Sequence, residues 1–197
     1  MADEVPMEQL RERLWPAGDD ASAYAILDGA RDPQVHPIIT GSKLEHRCLF
    51  IGELSPSLAR AAPWIVRLSR DDDATRELLR RGWGEAWGVY LRAPASSMAA
   101  LHQHFRRILR VQDEAGRKLL FRYYDPRVLR TYLPTCTPDE LRQVFGPVDR
   151  FFIEGERAST IGEYRFEHDA LSQRDTQVQR RLHWLGDYLR KSREEPQ

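Results

Sequence analysis

Apolar positions along the chain fall into short blocks separated by turn-forming residues, and the spacing within each block predicts an element. Met7 to Trp15 carries Leu10 and Leu14 four apart, as a short amphipathic helix would, and Pro16-Ala17-Gly18-Asp19-Asp20 breaks it. Ala23-Tyr24-Ala25-Ile26-Leu27 is a continuous apolar run closed by Asp28-Gly29, which reads as a buried strand. Residues 31–41, punctuated by Pro33, Pro37 and Gly41, read as a loop. The runs 47–51 and 64–68 read as two more buried strands. Asp71-Asp72-Asp73 then opens a helix through Leu79 that ends near Gly82.

The second half repeats this alternation. Residues 86–91 form a strand, and Ser96 or Ser97 caps a helix carrying Met98, Leu101, Phe105, Ile108 and Leu109 on one core-facing stripe. Leu119 to Tyr124 reads as a strand that runs straight into a helix over 126–133. Thr137 caps the next helix, with Pro138 in its first turn and Glu140 closing a capping box, and Gly146-Pro147 stops it. Residues 150–154 and 163–167 read as a hairpin of strands. Val178, Leu182, Leu185 and Leu189 make the stripe of a last helix over 176–190, with Trp184 and Tyr188 beside it. Such a helix either docks on the chain's own core or offers its aromatic side chains to a partner or to a swapped dimer contact. The expected class is therefore α/β in the mixed α+β sense, a mixed sheet flanked by helices. The alternation ends near 156–162, which divides the chain into a domain over 1–155 and a short extension over 156–197 that ends in a helix.

Composition narrows the function classes. A chain of 197 residues, 41% hydrophobic and 30% charged, is globular and long enough to bury a core. No apolar run approaches the ~20 residues of a membrane-spanning helix. Residues 1–14 are acidic and polar rather than signal-like, so a cytoplasmic location and no membrane partner are expected. Thirty basic and 30 acidic residues cancel, which argues against a general nucleic-acid binder. The charge is uneven, however: residues 101–150 hold ten basic residues against six acids, a docking face for an acidic or polar partner. Only Lys43, Lys118 and Lys191 among the 30 cations are lysine; a GC-rich genome is the simplest source of that bias, and the functional alternative is that arginine forks suit fixed protein–protein contacts. Cys48 and Cys136 lie far apart with no zinc spacing and read as reduced, partly buried thiols.

The densest local chemistry is Phe121-Arg122-Tyr123-Tyr124-Asp125-Pro126-Arg127-Val128-Leu129. Asp125 precedes a proline and is pushed toward extended geometry. Its carboxylate can then cap a helix whose first residue is Pro126. Arg122 lies within reach of Asp125 or a neighbouring acid. Either an ion pair fastens this strand–helix corner, or Arg122 or Arg127 meets a partner. Trp83 and Trp87 bracket Gly84-Glu85 and are candidates for core or for contact.

Enzyme signals are sparse. His102 and His104 sit two apart on a helix, face different ways and make a poor metal pair. The acids at 71–73 are explained by capping and the helix dipole. Glu154 and Glu156 flank Gly155 and, with His104, define the alternative reading, a small hydrolase. The chain carries no phosphate-binding loop, nucleophile elbow, dinucleotide fingerprint or zinc-protease motif. No catalytic residue, cofactor or metal is expected.

The nine-residue block resembles the signature of the DUF4123 family. The likeness runs on through residues 63–68 as an early strand, 87–91 as the next, and His104 with 105–109 as a central helix. Gly116 precedes the signature strand, and Leu133 through Phe145-Gly146-Pro147 follows it, so the resemblance spans residues 23–150. Members of that family are adaptors, or effector chaperones, of bacterial type VI secretion systems. They bind a toxic effector and help to load it onto the tip spike protein VgrG or an associated PAAR protein. The resemblance implies a non-enzymatic adaptor that holds a cognate effector in the cytoplasm and delivers it to the spike. Phe121, Asp125, Pro126, Gly146 and Pro147 would be its structural signature, and Arg122, Arg127, Trp83, Trp87, Trp184 and Tyr188 its candidate partner contacts. Members often carry a longer helical C-terminal lobe, so the helix over 176–190 reads as a reduced one.

Overall fold

A computed structural model describes residues 4–19, 21–94, 97–112 and 115–177; Trp184, Tyr188 and the rest of the last-helix stripe lie outside the described residues. The strands are β1 (Ser22–Asp28), β2 (His46–Cys48), β3 (Pro63–Arg67), β4 (Gly88–Ala93), β5 (Arg110–Gln112), β6 (Lys118–Leu120), β7 (Arg150–Glu154), β8 (Thr160–Glu167) and β9 (Ala170–Gln177). The helices are α1 (Glu4–Leu14), α2 (Val35–Gly41), α3 (Pro56–Ala61), α4 (Asp73–Gly82), α5 (Met98–Ile108), α6 (Pro126–Tyr132) and α7 (Pro138–Phe145). Seven strands form one sheet in the order β2-β3-β1-β4-β7-β8-β9, and β5 and β6 form a separate two-stranded ribbon.

The class is mixed α+β, as expected, but each strand pairing is antiparallel. The reason is that two crossovers interleave. The chain passes from β1 through α2 to β2, which runs in the same direction but lies two positions away, and from β3 through α4 to β4 in the same manner. The strand left between each pair runs against both. A strand–helix–strand rhythm in the sequence therefore yields no parallel neighbours here.

Side chains alternate across each strand, so a sheet covered on both faces has two cores. Tyr24 and Ile26 of β1 face a core completed by Leu101 and Phe105 of α5, Leu129 of α6 and Phe145 of α7. Ala23, Ala25 and Leu27 face the other, filled by Leu10 and Leu14 of α1, Ile39 of α2 and Leu78 of α4. Burial on both faces is why β1 reads as an unbroken apolar run.

Three further features depart from expectation. Residues 35–41, read as loop, form α2, because Pro37 falls in the first turn, where its missing N–H has no intrahelical partner to lose. The strand expected over 119–124 stops at Leu120; Tyr123 and Tyr124 are both buried, and the Tyr123 hydroxyl donates to the Phe105 carbonyl at 2.9 Å. Beyond residue 156 the sheet simply runs on: β8 pairs with β7, and β9 with β8. The β8–β9 turn places His168 and Asp169 at φ 53° and 57°, the left-handed pair that suits a tight hairpin.

Candidate interaction surface

The nine-residue block is a corner between β1 and α6, built on two buried acids. Asp28 ends β1 and is 1% exposed; its Oδ1 accepts from the Ala30 N–H at 3.0 Å and its Oδ2 from the Arg122 guanidinium at 2.5 Å. That bond holds the Arg122 pKa above its ordinary value, and the guanidinium also lies over the Tyr124 ring at 5.8 Å. Asp125 is 2% exposed and caps α6, its Oδ1 accepting from the Arg127 N–H at 3.0 Å. The Arg127 fork closes on the same carboxylate at 2.9 and 2.6 Å. Burial alone would raise the Asp125 carboxyl, but hydrogen bonds from Arg127 outweigh it and hold the carboxyl below its usual range. Both arginines are thus engaged within the chain, and the acid that meets Arg122 is Asp28 rather than Asp125.

Beside this corner, Glu154 of β7 is buried, which raises its carboxyl, and it accepts from the Gly84 and Ala86 N–H groups at 2.6 and 3.1 Å. Those bonds tie down the loop between Trp83 and Trp87. Trp83 donates its indole N–H to the Ala158 carbonyl at 2.7 Å and packs on Tyr90, and Trp87 is buried with it. Of the two readings open for these indoles, the structure places both in the core, because the chain folds the 83–87 loop back over the sheet and β7 pins it there.

Glu154 and Glu156 share a cleft of ≈ 390 Å³ with Arg31, Arg127 and Arg130. His104 lines a different one of ≈ 610 Å³, with Arg107, Tyr132 and Arg142. Its Nε2 donates to the Val144 carbonyl at 3.0 Å, and burial lowers its pKa. The three hydrolase candidates are therefore not brought together. His102 points elsewhere, hydrogen-bonded to the Cys48 carbonyl at 2.7 Å. Asp72 caps α4 and Asp73 pairs with Arg76, which accounts for the acidic run. Among the described residues no group of three His, Cys, Asp or Glu side chains is placed to hold a metal. Cys48 and Cys136 are free thiols, both pushed up by burial.

Sequence reasoning missed the apolar surface around the ribbon. All six residues of β5 and β6 are exposed. Val111 lies opposite Leu119, and Arg110 opposite Leu120, so the ribbon shows leucine on both faces. Ile51 and Leu58, distant in sequence, are exposed beside it in space. The available signal was the pair Leu119-Leu120: adjacent leucines on a strand must point to opposite sides, and a two-stranded ribbon standing alone cannot bury both.

The stretch from β1 into α7, residues 23–143, matches a family model described as a domain of unknown function (DUF4123). No curated protein matches the chain, and no solved structure does.

Proposed function

We propose, from the premise that this chain belongs to the DUF4123 family, that it is an adaptor of a bacterial type VI secretion system. In this reading it binds a cognate effector in the cytoplasm and promotes its loading onto the VgrG spike or a PAAR protein, without catalysing a reaction. The observation that carries the reading is the family match over 23–143, which contains the capped corner at 121–129. An adaptor needs a rigid scaffold, exposed apolar side chains and polar groups that set register, rather than reactive chemistry. A doubly covered sheet supplies the first, and the ribbon with Ile51 and Leu58 supplies the second. Among the described residues no helix is long and apolar enough to cross a membrane. Co-purification with the product of an effector gene beside its own tests the role. Binding to that product or to the neighbouring spike protein is the expected result, and binding to none of them contradicts it.

A further inference from the structure

The cleft between the ribbon and the segment 49–58 has a volume of ≈ 290 Å³. Ile51, Leu54, Leu58 and Leu120 line it, with Arg106 and Arg110 at its side. Ile51 is 60% exposed, Leu58 45% and Leu120 49%. Arg106 lies in the last turn of α5 and Arg110 opens β5, where it sits directly opposite Leu120 in the ribbon. Among the described residues no acidic side chain lines this cleft, and no carboxylate lies within ion-pair distance of Arg106 or Arg110. Covering such a site with a neutral segment would desolvate two guanidinium groups without compensation.

We propose that this cleft is where the adaptor grips its effector, and that the occupant is an amphipathic segment whose apolar side chains fill the cleft while its carboxylates meet Arg106 and Arg110. The proposal rests on the adaptor reading and deepens it. Charge complementarity selects this occupant over the others. A second copy meeting the cleft across a two-fold axis would gather four guanidinium groups around one apolar seam. The chain's own residues 178–197 carry Arg180, Arg181, Arg190, Lys191 and Arg193 against Asp187, Glu194 and Glu195, the same sign as the rim. A lipid surface is met by convex apolar protrusions, whereas this is a concave slot.

The test is calorimetric titration of the full chain with the purified product of the adjacent effector gene. It compares wild type with Ile51→Asp/Leu120→Asp and with Arg106→Glu/Arg110→Glu. Each double variant is expected to weaken binding at least about 30-fold, the size of a hot-spot loss, and wild-type affinity is expected to fall as salt rises. Should a double variant not fold, Leu120→Ala, which only trims an exposed side chain, is read in its place with a smaller loss. Variants that bind like wild type overturn the cleft and leave the adaptor role standing. A wild-type chain that binds no neighbouring effector or spike protein overturns both. A wild-type dimer abolished by Ile51→Asp/Leu120→Asp, or pelleting with phosphatidylglycerol vesicles lost in that variant, also overturns the proposal.

Discussion

At the corner between β1 and α6, each half-exposed arginine meets a buried acid: Arg122 meets Asp28 and Arg127 meets Asp125. At the ribbon of β5 and β6 the opposite holds, with leucines in solvent and Arg106 and Arg110 unmatched among the described residues. The contrast separates two jobs. A partner that pulled Arg122 away would leave Asp28 buried and bare, a cost that binding would have to overcome. Among the described residues no ion pair holds the leucines or Arg106 and Arg110 in place, so covering them breaks none there. The nine-residue block, which lies within the family match, is thus a fastening of the scaffold, and in the adaptor reading proposed above the binding surface lies at the ribbon instead.

The comparison can be broken first at the scaffold. Gly146 ends α7 at φ +49°, and a Cβ there would stand 2.4 Å from Cε1 of His104. Gly146→Ala is expected to cost about 3 kcal/mol or more, from backbone strain plus displacement of a buried ring, read by urea denaturation. A loss below ~1 kcal/mol would show that α5 and α7 are not a rigid base.

Next come the corner residues. Arg122→Ala strands the buried Asp28 carboxylate and is expected to cost roughly 1–3 kcal/mol. Asp125→Ala removes a helix cap and is expected to cost about 1–2 kcal/mol. Unchanged melting in both variants would mean that the corner is not a fastening. A smaller effect is expected in the pH profile. Burial lowers the His104 pKa from 6.5, so the unfolded chain takes up the proton more readily. Its contribution is complete above pH 6.5 and is lost as pH falls from there toward the folded value. His104→Gln should flatten that part of the melting profile, and an unaltered slope would assign it to other groups. Smallest of all, Leu120→Asp should change stability by no more than ~0.5 kcal/mol, since the side chain already stands in solvent.

Local chemistry made part of this molecule legible. Asp125 before Pro126 announced its cap, Thr137 and Glu140 their capping box, and the apolar runs at 23–27 and 64–68 their buried strands. What depended on distant partners was not legible. The acid that binds Arg122 lies 94 residues away. Interleaved crossovers leave no trace in strand spacing, and β9 is an exposed edge strand with almost no apolar residue to announce it. Trp83 and Trp87 carry the same letters whether they are core or contact, and distant partners place them in the core: Glu154, which accepts from the Gly84 and Ala86 N–H groups, and Ala158, which accepts from Trp83. The ribbon was hidden because residues 119–124 read as one strand, while the chain turns after Leu120 to bury Tyr123 and Tyr124.

The most direct test measures melting temperature and effector affinity side by side for Arg122→Ala and Leu120→Asp. The account predicts that Arg122→Ala melts lower yet binds with the wild-type Kd, whereas Leu120→Asp melts like wild type and binds more weakly. An Arg122→Ala variant with wild-type melting and lost binding, beside a Leu120→Asp variant that still binds, would contradict it.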